Sequence, residues 1–144
     1  MVAFADTGFI VSLYLPESTS APARAAIQAA PAVLPLTPLI LLELRNAFNR
    51  SVQQQRITLA QRDALWQDVE TDIASGFLVP TPVAQDEVHK KARQLSDRHT
   101  PVLGTRSLDL LPVAAALLLG ARESFSFDDR QRQAAAQAGL CVKP

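Results

Sequence analysis

Val2-Ala3-Phe4-Ala5-Asp6, running into Thr7-Gly8-Phe9-Ile10-Val11-Ser12-Leu13-Tyr14-Leu15, decides the fold class. Four apolar residues without alternation read as a short strand buried on both faces. The residues after Asp6 change period. Phe9, Ile10, Leu13 and Tyr14 recur at helical spacing, and Pro16 ends that helix. A buried strand feeding a helix is the opening of a βαβ unit.

The same alternation continues to the end of the chain. Val33-Leu34-Pro35-Leu36 predicts a second strand, placed at a sheet edge because of its proline. Phe77-Leu78-Val79, Ser124-Phe125-Ser126-Phe127 and Leu140-Cys141-Val142 predict three more. Between them lie helical patterns. One runs to about Ala30, capped by Ser20 with Pro22 in its first turn. Another runs from Pro38 to about Gln54. A third, Leu59 to Ser75, is capped by Thr58 and stopped by Gly76, with Leu59, Leu65, Trp66, Val69 and Ile73 as its apolar stripe. Gln85 to His99 is polar and amphipathic. An apolar helix capped by Ser107 or by Asp109 ends at Gly120, and Gln131 to Ala138 ends at Gly139. Short strands alternating with helices predict an α/β fold with a parallel sheet covered on both faces.

Composition limits what such a domain does. The 144 residues suit one compact domain. Hydrophobic residues make up 48% and charged residues 19%, which excludes a disordered chain. Fourteen basic residues balance fourteen acidic ones, so bulk positive charge cannot supply nucleic-acid affinity. One cysteine excludes an internal disulfide or CxxC site, and two histidines exclude a histidine-rich metal centre. The N-terminus lacks signal-peptide order, and the longest apolar run, Leu110 to Ala121, is too short to span a membrane. The expectation is a soluble, cytoplasmic protein.

Four carboxylates stand where acids are uncommon. Asp6 and Asp128 directly follow strands, at the sheet end where open parallel sheets bind ligands. Glu43 has Leu39, Ile40 and Ala47 as its helical neighbours. Asp109 opens the most apolar helix. Each has an ordinary explanation: Asp6, Asp109 and Asp128 as helix-start residues, Glu43 as half of a buried ion pair. One shared site is more economical. Carboxylates crowded at low dielectric do not all stay ionised. A divalent cation removes that conflict, and oxygen-only ligands select Mg²⁺ or Mn²⁺. Such a centre polarises a phosphate and acidifies a bound water. An uncharged protein could handle nucleic acid in this way.

Taken in order, four stretches resemble the PIN-domain ribonucleases, and more narrowly the VapC-type toxins of prokaryotic toxin–antitoxin pairs. They are Phe4-Ala5-Asp6-Thr7, Leu42-Glu43-Leu44-Arg45-Asn46-Ala47, Arg106-Ser107-Leu108-Asp109 and Phe125-Ser126-Phe127-Asp128. Arg56-Ile57-Thr58 and Gln137-Ala138-Gly139-Leu140 add to the likeness, which runs from about residue 2 to 142.

The resemblance implies a single PIN-like domain over residues 1–144, a three-layer sandwich around a central parallel sheet. It implies a metal-dependent endoribonuclease, with Mg²⁺ or Mn²⁺ held by Asp6, Glu43, Asp109 and Asp128 as both catalytic and metal-binding groups. Thr7, Asn46, Ser126 and Asp129 would support those acids, and Arg130 would reach the substrate. The implied partners are a structured RNA (transfer or ribosomal), a cognate antitoxin protein and a second copy of the chain. Gly8 and Pro112 depart from the family pattern, where Ser or Asn and His are frequent. The alternative is a PIN-fold binding or regulatory module with weak or no nuclease activity.

The remaining residues carry plainer expectations. Cys141 reads as a small core residue, His89 and His99 as solvated, and Trp66 as core. Arg132 shares with Arg130 a possible reach to phosphate. Arg24, Arg45 and Arg50 are unranked candidates for contact with RNA or a partner.

Overall fold

The computed structural model of the chain describes residues 2–144. The elements are β1 (Ala3–Ala5), α1 (Thr7–Tyr14), α2 (Ser20–Ala29), β2 (Leu34–Leu36), α3 (Pro38–Gln53), α4 (Leu59–Ser75), β3 (Leu78–Pro80), α5 (Gln85–Leu103), α6 (Ser107–Leu118), β4 (Glu123–Phe125), α7 (Asp129–Gln137) and β5 (Cys141–Lys143). β1, β4 and β5 form one parallel ladder, with Phe4 opposite Ser124 and Ser124 opposite Val142. β2 and β3 form a parallel pair, with Pro35 opposite Val79. A single parallel bridge between Val2 and Val33 joins the two, giving the order β3-β2-β1-β4-β5.

That order explains the position of the site. The chain builds outward through β2 and β3 on one side of β1, then returns to place β4 on its other side. The connections therefore diverge above the carboxyl ends of β1 and β4, leaving a crevice there. Asp6 follows β1, and Ser126 and Asp128 follow β4.

Helices flank the sheet as an α/β fold requires. α1 packs on α2 and α3, and α3 on α4; α5, α6 and α7 pack on one another. All three residues of β1 are buried, so both faces of the central strand are covered. Phe4, Phe9, Phe48 and Phe125 are the largest fully buried side chains. Phe9 lies 5.1 Å from Phe125 and 5.4 Å from Phe127, ring centre to ring centre, which clamps the start of α1 to the end of β4. Tyr14 on α1 donates a 2.5 Å hydrogen bond to Asp72 on α4, and burial with that bond pushes the phenol far above its ordinary range.

α4 forms where its punctuation says. Thr58 accepts from the Gln61 N–H while the Gln61 side chain accepts from the Thr58 N–H. Gly76 closes the helix at φ 81°, a left-handed turn that glycine makes without a Cβ clash.

Several expectations are corrected. β2 is interior rather than an edge. Leu34 donates to Phe77 O on the β3 side, so alternation turns Pro35 toward β1. Its missing N–H interrupts that ladder, which is why only one bridge joins β1 to β2. Thr19, not Ser20, takes the cap position of α2. The Ser20 hydroxyl instead donates to Leu15 O and accepts from the Glu17 N–H, folding the α1–α2 connection. Neither Ser107 nor Asp109 caps α6. Arg106 holds that position, and Asp109, three residues on, accepts from its N–H at 3.0 Å. Pro112 therefore lies inside the helix and withholds one backbone bond. α5 continues past His99 to Leu103 and stops at left-handed Gly104. Leu59 is 58% exposed, because the first turn of α4 overhangs the core that takes Val69. Cys141 is exposed, since β5 is the outer strand and Leu140 is the residue that turns inward.

Candidate active site

One cleft of about 550 Å³ opens at the carboxyl end of the sheet. Asp6, Glu43, Asp109 and Asp128 all line it. They come from the β1–α1 junction, the middle of α3, the first turn of α6 and the β4–α7 junction.

Asp6 is the most buried of them, at 6% exposure. One carboxylate oxygen, Oδ1, accepts from the Phe9 N–H at 2.7 Å and so caps α1. The other, Oδ2, accepts from the Ser126 hydroxyl. The same Ser126 oxygen accepts from the Asp128 N–H at 3.0 Å, so one buried hydroxyl ties two of the acids together. Asp128 caps α7 with Oδ1, which accepts from the N–H groups of Arg130 and Gln131. Its Oδ2 makes no hydrogen bond among the described residues. The Glu43 carboxylate accepts from the Thr7 hydroxyl at 2.5 Å through Oε2, leaving Oε1 free. Asp109 uses Oδ2 on the Arg106 N–H and leaves Oδ1 free.

The carboxyl group of Asp6 is pushed above its ordinary range. Burial is the largest cause. The Ser126 and Phe9 hydrogen bonds pull it back down, and the negative charges of Asp128 and Glu43 push it up again. Those last two effects show that three of the acids share one electrostatic environment. Arg50 lines the same cleft but forms no ion pair with the acids among the described residues. The ion pairs among the described residues are Arg62 with Asp63 and Lys143 with Glu123, and neither touches the four acids.

The donor set suits a hard divalent cation in its chemistry. It is all oxygen, and among the described residues three of the acids keep an oxygen free of hydrogen bonds and none is ion-paired with a cationic side chain. As the side chains stand, no three histidine, cysteine, aspartate or glutamate groups close around one point among the described residues.

Of the supporting residues, Thr7 and Ser126 touch acids directly, and Asn46 lines the cleft without a hydrogen bond to them. Asp129 and Arg130 are exposed in the first turn of α7, outside the cleft lining. Arg132 is engaged elsewhere, donating to Ser126 O at 2.9 Å. Arg45 lies over the Trp66 ring at 4.6 Å, and Trp66 packs edge-on against Phe48. Two wall residues escaped the sequence reading. Glu17 reaches the cleft because the α1–α2 connection folds back on itself. Gln131 does so through the start of α7. Neither position carries a local signal in the sequence.

The PIN domain family matches residues 3–137 of the chain. The chain belongs to the PIN domain family. Its fold is also similar to that of several solved structures. Mycobacterium tuberculosis VapC20, described as a sarcin–ricin loop cleaving toxin, aligns at 20% identity over 99% of both chains, with a TM-score of 0.68. FitAcB from Neisseria gonorrhoeae aligns at 16% identity over 99% of this chain and 97% of that one, with a TM-score of 0.69. A toxin–antitoxin complex from Klebsiella pneumoniae aligns at 17% identity over 88% and 86%, with a TM-score of 0.57. No curated protein matches the chain by sequence. The PIN fold accounts for the α/β architecture and for the crevice between β1 and β4 that holds the acids. Among the described residues of this PIN domain, no helix is long and apolar enough to cross a membrane.

Proposed function

We propose that the protein is a metal-dependent endoribonuclease of VapC type, a single PIN domain over residues 1–144 that acts in the cytoplasm. The observation that carries the reading is the cleft itself. Four acids from four separate elements line one crevice, none of them ion-paired among the described residues, and the chain is a PIN domain. Asp6, Glu43, Asp109 and Asp128 would hold Mg²⁺ or Mn²⁺. When bound, the ion supplies charge neutralisation for a phosphodiester and lowers the pKa of water.

The chain's own groups do the arranging. Ser126 and Phe9 hold Asp6 in one orientation, and Ser126 fixes the Asp128 backbone relative to it. Thr7 holds Glu43 by one oxygen, so its rotamer is set before any ligand arrives. Asn46 and Gln131 offer neutral polar groups to a substrate along the wall. The substrate class is structured RNA, transfer or ribosomal. The resemblance to the Klebsiella toxin–antitoxin complex supports an antitoxin partner, and a homodimer completes the proposed assembly.

The test is cleavage of total cellular RNA by purified protein with Mg²⁺, Mn²⁺ or EDTA, beside Asp6→Asn. Discrete fragments that need metal and vanish in the variant are expected. Equal activity of variant and parent would overturn the role given to Asp6. The second reading, a PIN-fold binding module, is favoured by one observation, that no three acids close around one point among the described residues. Absence of metal binding at millimolar Mg²⁺ or Mn²⁺ in calorimetry decides for it.

A further inference from the structure

The acidic cleft does not end at the acids. Val11, Ala47 and Arg50 form its far wall and also line a second depression of about 220 Å³. That depression shares Leu15, Ser51 and Arg56 with a third, open groove of about 670 Å³. Glu17 lines all three, and through these shared walls they adjoin as a channel. It leaves the cleft along α3 and passes between the α1–α2 and α3–α4 connections.

The charge along this channel changes sign. Arg50, from the last turn of α3, stands beside the acids and leads out of the cleft, and Arg56, from the α3–α4 connection, stands beyond them. Both are exposed, and neither guanidinium makes a hydrogen bond or ion pair among the described residues. That separates them from Arg62, paired with Asp63, from Arg132, bonded to backbone, and from Arg45, stacked on Trp66. The one acid in this arm, Glu17, accepts from the Ser12 hydroxyl.

The backbone under Arg56 is built with some strain. Gln55 adopts φ 58°, left-handed for a residue with a side chain, and Arg56 N donates to Ser51 O at 2.9 Å. This closing turn places Arg56 on the same channel as Arg50, which the helical spiral alone would not do.

We propose that this arm binds the phosphate backbone of the nucleic-acid strand on one side of the cleavage site, with Arg50 and Arg56 as the phosphate contacts. The inference rests on the nuclease reading for the identity of the ligand. Two unpaired guanidiniums in an open polar groove suit repeated phosphates, which they contact without reading bases. Their placement on one side of the acids gives the bound strand a direction.

Binding separates this idea from catalysis. Fluorescence anisotropy of a labelled single-stranded RNA oligonucleotide is measured in EDTA with the Asp6→Asn protein, so that cleavage plays no part. Arg50→Ala and Arg56→Ala are each expected to weaken binding roughly five-fold. Together they should lower the slope of log affinity against log salt by about 1.4, since each phosphate contact on a single strand contributes about 0.7. Arg93→Ala, on the exposed side of α5, is the control and should leave affinity unchanged. Unchanged affinity in the double variant overturns the proposal, as does an equal loss in the Arg93 control. A parent protein that binds RNA through these arginines but cleaves none with metal overturns the nuclease reading and leaves this one standing.

Discussion

Replacing Ser126 by alanine removes one oxygen and two hydrogen bonds. Its hydroxyl donates to the Asp6 carboxylate and accepts from the Asp128 N–H, and the residue is 1% exposed, so water does not replace it. A hydrogen bond to a charged acceptor is worth about 1.5–3 kcal/mol, and one to a neutral backbone donor about 1. The expected loss is therefore roughly 3 kcal/mol, or about 10 °C in Tm for a domain of this size. The loss also depends on pH, with a definite sign. The Ser126 bond lowers the Asp6 pKa, so removing it raises a folded-state value that burial has already raised. A raised folded pKa means stability present below the unfolded value and lost as pH rises through the folded one. The variant's deficit should thus be larger at pH 8 than at pH 5. Urea titrations at both values, read at constant m, measure it. A deficit under about 0.5 kcal/mol, or one that grows as pH falls, refutes the coupling of Asp6 to Asp128 through this hydroxyl.

Two other outcomes follow from the same geometry. Asp6→Asn keeps one oxygen to accept from Phe9, turns its amide N–H toward the Ser126 oxygen and cannot ionise, so it should melt higher than the parent at pH 8, with the gap closing toward pH 4; a lower melting point at pH 8 would count against the burial argument. Gln55→Gly relieves a left-handed backbone and should stabilise the protein by about 0.5–1 kcal/mol in thermal melts, whereas a loss would show that the glutamine side chain does structural work of its own.

For Asp6 and Asp128 the ordinary explanation, a helix cap, is compatible with the functional one. Each caps a helix with one oxygen, and each lines the cleft. A strand that ends at a helix cap delivers a carboxylate to the carboxyl edge of the sheet, where the crevice is. Capping is how the acid is held still. Glu43 lacks that device, and Thr7 supplies it from another element.

Local pattern determined the order and type of the elements. A four-residue apolar run, a Thr cap or a left-handed glycine acts on its immediate neighbours, so Thr58 and Gly76 bracket α4 as read from the sequence. The anomaly of four acids in apolar settings was legible for the same reason. What joins them was not. Ser126 meets Asp6 across 120 residues, and Thr7 meets Glu43 across 36. Those contacts exist because β4 is inserted beside β1, a choice made by the whole sheet. Burial followed the same logic. Pro35 sits inside the sheet, Leu59 overhangs it and Cys141 faces out, because exposure depends on which strand is outermost and where a helix crosses the core. The run of Arg50 and Arg56 along one channel with the acids is likewise tertiary. It needs the α3–α4 turn to close before two distant charges share a wall.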